Sequence, residues 1–313
     1  MAASVETMKP SPEVLEAAVT SVFQPGMLAV DIIRVDRRAQ PAPPTTILIA
    51  APNDAGTYPV AIFLHGFSLG NHDYEQVLKH IASFGFIMVA PQFHHIIPTD
   101  DIAAAAKVID WLPEGLPLVL PEGVGPDLSK LALAGHSRGG HAAFSLALGH
   151  GKTNLKFSAL IGIDPVAGTG KHKYWHLTPK ILAYNPSSFD IAMPVLVVGT
   201  GLGEEKKNIL FPAGAPKDVN HRDFYRRCKP PCYYFVTKDH GHLDMLDDGA
   251  VMLQNFFVKK GKNCKDWMRR SVAGIMVAFL KAVLNEKDHD LKVILENPGM
   301  APTVLDPVEH RLG

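Results

Sequence analysis

The stretch LALAGHSRGGHAAFSLAL, residues 131–148, decides the fold. Its apolar start predicts a buried strand, and its alanine-rich end predicts a helix, with Ser137 at the tight turn between them. A serine on such a strained elbow crowds the residues two before and two after it, so Gly135 and Gly139 must lack side chains. The helix N-terminus also adds partial positive charge at this point. We therefore interpret Ser137 as a nucleophile; the alternative is a capping serine in a glycine-rich turn.

Strand and helix patterns alternate through most of the chain, which predicts an α/β fold. Short apolar runs that suit strands covered on both faces recur along the sequence. They are Val60–Leu64, Phe86–Ala90, Leu131–Ala134, Phe157–Ile163, Val195–Gly199 and Tyr233–Val236. Helical spacing falls at Tyr74–Phe84, Asp101–Trp111 and Asp266–Leu284. The expected architecture is a mostly parallel central sheet flanked by helices on both faces.

The ends of the chain and its proline- and glycine-rich segments set the expected organisation. Leu28–Val35 and Thr45–Ala51 are predicted as antiparallel leading strands. We divide the chain into an N-terminal extension (1–24), a catalytic domain (25–285) and a C-terminal tail (286–313). Leu112–Ser129 and Gly201–Lys217 are expected to be loops over the carboxyl ends of the strands, where ligands bind in such sheets.

Composition excludes several classes of function. The formal net charge is +0, so there is no electrostatic case for nucleic acid as a partner. No apolar run reaches the roughly 18 residues of a membrane-spanning helix. Cys228, Cys232 and Cys264 do not form a disulfide framework or a metal-finger spacing, and whether they pair stays open. The pair His94-His95 has no accompanying ligand pattern, so no metal is expected.

A serine nucleophile needs a histidine base, and that base needs a carboxylate to hold its tautomer. In α/β-hydrolases the chain order is serine, acid, histidine, so the base should follow the last strand. There the sequence offers His240 and His242 around Gly241. We favour His242, because Gly241 permits a tight loop and apolar residues follow; His240 remains the alternative. The later acidic residues Asp244, Asp247 and Asp248 suggest a helix start or a solvated face.

The acid has two candidate positions. Asp164 ends a predicted strand and precedes Pro165, where its carboxylate can point into the site. Glu204 and Glu205 follow the next strand, which is the more usual place for the acid, but two lysines follow them, as in a solvated loop. Position alone favours Asp164 slightly and leaves both positions open.

The oxyanion of the reaction needs two backbone N–H donors. One should be Arg138, directly after the nucleophile, and the other should lie in the loop His65-Gly66-Phe67-Ser68. Phe67 is the favoured donor, since Gly66 lets the backbone approach. His65 is expected to hydrogen-bond this loop rather than to act as the base.

These motifs resemble those of the plant chlorophyllases. The shared stretches are Phe63–Phe67, Gly135–Gly140, Leu160–Gly168, Gly241–Asp248 and Met268–Arg270, within a resemblance that runs from about Pro25 to about Leu284. Carried over residue by residue, the family's triad falls on Ser137, Asp164 and His242, which favours Asp164 as the acid.

The resemblance implies hydrolysis of the phytyl ester of chlorophyll to chlorophyllide and phytol, without a cofactor. Chlorophyll is then the substrate partner, and peripheral membrane contact and oligomeric state stay open. A chloroplast location follows from the family, but Glu6, Glu13 and Glu16 do not suit a transit peptide, which leaves the cytosol or the endomembrane periphery open. The alternatives are a lipase or carboxylesterase with the same triad and a non-catalytic binding protein on a hydrolase scaffold.

A substrate with a large ring and a long tail needs a broad apolar site. Ile209, Leu210 and Phe211 place three large apolar residues in the predicted loop 201–217. We expect them to form a wall for substrate or for membrane contact; the alternative is that they pack onto the core.

Overall fold

Nine strands of the described chain form one sheet, and their order brings the predicted motifs to one edge. The computed structural model describes residues 19–93, 98–170, 176–182, 188–209, 212–250 and 258–313. The strands are β1 (Val30–Val35), β2 (Ile47–Pro52), β3 (Gly56–Leu64), β4 (Ile87–Pro91), β5 (Val124–His136), β6 (Ala159–Ile163), β7 (Val195–Thr200), β8 (Cys232–Thr237) and β9 (Leu305–Arg311). Their order in the sheet is β1-β2-β4-β3-β5-β6-β7-β8-β9.

The centre of the sheet, from β4 to β8, is parallel. Strands β1 and β2 pair antiparallel with each other, as the sequence predicted, and β2 pairs antiparallel with β4. Continuous apolar runs suit the central strands because both of their faces are covered. The carboxyl ends of the central strands therefore meet at one edge, and the loops after β3, β5, β6, β7 and β8 lie together there.

Helices cover both faces of the sheet. They are α1 (Glu75–Ala82), α2 (Pro98–Gly115), α3 (Arg138–Ala147), α4 (His221–Arg227), α5 (Lys265–Asn285) and α6 (His289–Glu296). One buried apolar cluster joins the sheet to α1, α5 and α6, and a second joins it to α2, α3 and α4. The predicted α/β architecture is confirmed. No helix in the described ranges is long and apolar enough to span a membrane.

The strand that carries the serine is longer than its sequence pattern indicates. Residues 124–127, which we predicted as loop, pair with Gly56–Pro59 of β3, and a register shift at Pro59/Val60 separates this pairing from the central one. This half of the strand was not predicted because it contains polar residues, whereas the central strands were predicted from continuous apolar runs. Because Leu112–Ser129 leads into β5, it lies at the amino edge of the sheet, and the expectation of a loop over the carboxyl edge was wrong.

Residues that we predicted to lie outside the catalytic domain contribute to the folded core. The segment 286–313, predicted as a tail, contains α6 and the edge strand β9, which pairs antiparallel with β8. Pro307 and the charged residues of β9 are typical of an edge strand, which explains why no buried-strand pattern marked it. Val22 and Phe23, which we assigned to the extension, are buried, and the backbone oxygen of Phe23 accepts a hydrogen bond from Arg270 Nε of α5 at 2.8 Å.

A chain that ends at Thr303 should be less stable and prone to aggregation. It would lose the buried Leu305 and expose the edge of β8, with an expected loss of about 2–4 kcal/mol in the free energy of unfolding. Thermal unfolding followed with light scattering measures both effects. Removal of Leu312 and Gly313 alone is the control, and equal melting temperatures for the two truncations would contradict the structural role of β9.

Candidate active site

Ser137 lies on a strained turn between β5 and α3. Its backbone has φ 56° and ψ −121°, a conformation that non-glycine residues rarely adopt and that is found at functional sites. A Cβ at position 135 would collide with the carbonyl of Gly139, and a Cβ at position 139 would collide with the carbonyl oxygens of Leu64 and His65. The two glycines are therefore required by close backbone approach, as the sequence predicted.

The structure brings Ser137, His242 and Asp164 together from three different loops. His242 Nε2 lies 2.9 Å from Ser137 Oγ, and His242 Nδ1 lies 2.6 Å from Asp164 Oδ2. Asp164 directly follows β6 with φ 41°, and His242 lies in the loop after β8. The serine hydroxyl donates to a histidine whose other nitrogen donates to a carboxylate, which is the hydrogen-bond order of a serine-hydrolase triad.

Asp164 is a fully buried carboxylate with several donors. Besides His242, Thr200 Oγ1 donates to Oδ2 at 2.6 Å and Thr200 N donates to Oδ1 at 3.3 Å. A second imidazole, that of His221, has Nε2 3.7 Å from Oδ1. Burial alone would raise the pKa of Asp164, but the hydrogen bond and charge of His242, together with His221 and Thr200, lower this pKa to about 2. The group is therefore ionised at neutral pH.

The alternative residues for base and acid do not take part in the hydrogen bonds that link Ser137, His242 and Asp164. His240 is fully buried, and neither of its ring nitrogens has a hydrogen-bond partner within the described residues. Glu204 Oε1 accepts a hydrogen bond from Asn220 Nδ2 at 2.8 Å, and Glu205 pairs with Lys259 at 3.3 Å.

A buried hydrogen-bonded chain links the loop after β3 to the loop that carries His242. Gly66 N donates to Tyr74 Oη at 3.0 Å, Tyr74 Oη lies 2.7 Å from His136 Nδ1, and His136 Nε2 lies 3.0 Å from the backbone oxygen of His242. Burial holds the pKa of His136 well below its usual range, so the ring is neutral. Its Nδ1 therefore accepts from Tyr74, and its Nε2–H donates to His242.

The supporting residues were not predicted from the sequence; they are Tyr74, His136, Thr200 and His221. His136 lies inside the serine motif, and Thr200 ends β7. For His136 and Thr200, the position at a strand end was the available signal. Asp244 was assigned to a helix start or a solvated face, but it is buried, and its Oδ2 accepts hydrogen bonds from Gly241 N at 2.6 Å and Gly261 N at 2.7 Å. It therefore holds the loop of His242 in place.

The loop after β3 packs directly against Ser137. A Cβ at Gly66 would lie 3.3 Å from Ser137 Cβ, so the chain at Phe67 passes next to the serine. His65 hydrogen-bonds this loop, as expected: its Nδ1 donates to Gly66 O at 2.8 Å, and its Nε2 accepts from Phe93 N at 2.8 Å.

The side chain of Arg138 also contacts the loop after β3, at the ring of Phe67. Its guanidinium Cζ lies 5.4 Å from the centre of the Phe67 ring, and its Nε lies 2.6 Å from Asp101 Oδ2 of α2. Both members of this ion pair are buried. The backbone N–H groups of Phe67 and Arg138 are thus carried by two segments that contact each other beside Ser137.

The loop 201–217 lies against the base and the acid. A Cβ at Gly203 would lie 3.1 Å from Asp164 Oδ2, and a Cβ at Gly214 would lie 2.8 Å from His242 Cβ. Between these two contacts Ile209 is 96% exposed, so it does not pack onto the core. Leu210 and Phe211 lie outside the described residues, as do His94 and His95.

The sheet order and the serine elbow together define an α/β-hydrolase. A sequence model of the chlorophyllase family matches residues 18–312, which is nearly the whole chain. The chain belongs to the chlorophyllase family. The resemblance expected from the motifs is thereby confirmed.

Similar proteins match over most of their own length. Chlorophyllase-2 of Arabidopsis thaliana is 48% identical over 81% of this chain and 82% of its own. Chlorophyllase-1 of the same plant is 44% identical over 95% of this chain and 94% of its own. A Citrus unshiu protein named "Chlorophyllase-1, chloroplastic" is 42% identical over 99% of this chain and 96% of its own.

Replacement of His242 by alanine should abolish labelling of Ser137 by an organophosphonate, whereas His240→Ala should retain it. Phosphonylation requires an activated serine, and of the two histidines it is His242 whose ring nitrogen is hydrogen-bonded to Ser137 Oγ. Mass spectrometry of the labelled protein gives the result, and thermal unfolding shows whether each variant folds. Label retained in His242→Ala and lost in a folded His240→Ala would reverse the assignment.

Proposed function

We propose that the chain is an esterase that hydrolyses the phytyl ester of chlorophyll to chlorophyllide and phytol. The observation that carries this proposal is the hydrogen-bonded series from Ser137 Oγ through His242 to Asp164 in a chain of the chlorophyllase family. Such a series supplies nucleophile, base and orienting carboxylate for cleavage of a carboxylic ester.

Acylation uses Ser137 and His242. As Ser137 Oγ attacks the ester carbonyl carbon, its proton passes to His242 Nε2, and a tetrahedral oxyanion forms. The N–H groups of Phe67 and Arg138 stabilise that oxyanion, because hydrogen bonds to developing charge are strongest in the transition state. His242 then donates the proton to the phytyl oxygen, the bond from the carbonyl carbon to that oxygen breaks, and phytol leaves.

Deacylation repeats the sequence with water. His242 takes a proton from water, the hydroxide adds to the acyl carbon, and the second oxyanion is held by the same two N–H groups. The carbon–Oγ bond then breaks as His242 returns the proton to Ser137, and chlorophyllide leaves as the carboxylic acid. The net reaction is ester plus water to acid plus alcohol.

Asp164 orients His242 and stabilises its charged form. Because the pKa of Asp164 is about 2, the carboxylate stays ionised and keeps the proton of His242 on Nδ1, so that Nε2 faces the serine. Asp164 does not need to accept a proton in any step.

The loop 201–217 is proposed as the apolar wall that meets the tail of the substrate. The support is the exposed Ile209 on a loop whose glycines contact Asp164 and His242. Leu210 and Phe211 belong to the same proposal by sequence alone. An exposed apolar loop beside the active site also suits contact with the surface of a membrane in which such a substrate dissolves. The Citrus relatives named chloroplastic support a chloroplast location.

The Ser137→Ala variant should retain the fold and lose the release of chlorophyllide from chlorophyll. Without its nucleophile a serine hydrolase commonly loses about 10⁶ in turnover. Chromatography of pigments after incubation of wild type and variant measures the product, and circular dichroism verifies folding. Chlorophyllide production by the variant near the wild-type rate would remove Ser137 from the mechanism. Wild-type hydrolysis of neutral lipid esters but not of chlorophyll would point to a lipase.

Asp164→Asn should reduce turnover by up to about 10⁴, because asparagine favours the wrong imidazole tautomer. Glu204→Gln and Glu205→Gln are the matched controls, since each makes the same change of carboxylate to amide on the loop after β7. Steady-state kinetics on the three variants compares the two positions. An inactive Glu204→Gln or Glu205→Gln beside an active Asp164→Asn would move the acid to that loop.

A further inference from the structure

A cavity of about 1010 Å³ opens next to the loop that passes Ser137. It is formed by the end of β1, the start of β2 and the segments after β3 and β4, with Phe67 and Phe93 among its walls. A Cβ at Gly66 would lie 3.3 Å from Ser137 Cβ, and the next residue, Phe67, lines the cavity, so the cavity lies close to the nucleophile. Its volume is at the upper end of the roughly 300–1,000 Å³ of small-molecule pockets.

We propose that this cavity binds the tetrapyrrole ring of the substrate, while the phytyl tail lies on the opposite side of Ser137. The inference rests on the proposed function and deepens it by assigning the two parts of the ester to two sides of the site.

The chemistry fixes which part of the ester faces His242. His242 Nε2 must reach the leaving oxygen to protonate it, so the alcohol part lies on the His242 side. The oxyanion faces the N–H groups of Phe67 and Arg138. The acyl part, which carries the ring, takes the direction that remains at the tetrahedral carbon.

The order of the strands places the cavity and the loop of His242 on opposite sides of Ser137. Ser137 follows β5 at the centre of the sheet, and the cavity residues come from β1, β2 and the segments after β3 and β4 on one side. His242 and Ile209 come from the loops after β8 and β7 on the other side. The cavity is therefore on the acyl side, and the loop of Ile209 is on the alcohol side.

The walls of the cavity suit a ring better than a hydrocarbon tail. Ile47, Leu48 and Leu69 form a buried apolar floor, whereas Arg34 and His72 at the rim have side chains that are 64% and 67% exposed. A flat tetrapyrrole has apolar faces and carbonyl groups at its edge that can accept hydrogen bonds. A phytyl chain has none, so it would desolvate these polar side chains without compensation.

The test measures the binding of chlorophyllide, which contains the ring and lacks the tail, to protein with the Ser137→Ala substitution. Thr46 is exposed and lines the cavity, so the indole of Thr46→Trp should occupy part of it and weaken chlorophyllide binding by about tenfold or more, through lost contacts. Leu118→Trp adds the same indole at a site that is 68% exposed before β5, at the opposite edge of the sheet, and should not change binding. Thermal unfolding reports whether each variant folds, and Asp36→Trp, also on the exposed rim, replaces Thr46→Trp if that variant does not.

A second arm separates ring from tail. In the otherwise wild-type enzyme, Ile209→Ser should raise the KM for chlorophyll, and in the Ser137→Ala protein it should leave the Kd of chlorophyllide unchanged. Unaltered chlorophyllide binding in folded Thr46→Trp, or weakening by Ile209→Ser as large as that by Thr46→Trp, would overturn the assignment of the cavity. Failure of the wild type to release chlorophyllide from chlorophyll would instead refute the proposed function, because the binding arm does not depend on turnover.

Discussion

The position of the catalytic residues at the carboxyl ends of the strands depends on one buried negative charge. Asp164 has no contact with solvent, and a carboxylate in such a place is tolerated only when donors surround it. Thr200 at the end of β7 and His242 after β8 donate hydrogen bonds to it, and the imidazole of His221 at the start of α4 lies 3.7 Å away. The requirement to compensate this charge therefore fixes three loops relative to one another, and the base takes its position as part of that compensation.

The serine side is organised by close backbone packing rather than by charge. Gly135, Gly139 and Gly66 allow the elbow, the end of β3 and the following loop to approach one another more closely than side chains would permit. The neutral His136 then connects this packed unit to the loop of His242. Its Nδ1 is hydrogen-bonded to Tyr74 Oη, and its Nε2 is hydrogen-bonded to the backbone oxygen of His242. The nucleophile, the expected oxyanion donors and the base thus share one continuous buried network, so substitutions at its members should not have additive effects.

Much of this arrangement could be predicted from local sequence, and the remainder could not for physical reasons. The central strands and the elbow were visible because burial on both faces demands continuous apolar runs and close approach demands glycine. Strand β9 and the first half of β5 were missed because their polar residues and prolines, Pro307 and Pro126, are typical of loops. The acid was ambiguous because carboxylates follow both β6 and β7, and only the three-dimensional contacts distinguish Asp164 from Glu204 and Glu205. Tyr74 and Thr200 are distant from Ser137 in sequence, so no local pattern connects them to it.

The edge strand β9 also bears on when the site can form during synthesis. Lys238, in the loop that leads to His242, donates its backbone N–H to Val304 O at 2.9 Å, and its side chain pairs with Asp306 at 2.6 Å. Residues 304–311 leave the ribosome well after the serine, the acid and the base. A nascent chain can fold the central strands early, since folding begins before translation ends. These two contacts to the base loop form only with the late strand, so a chain interrupted just before residue 304 would carry every residue of the triad and lack one of the supports of its histidine loop.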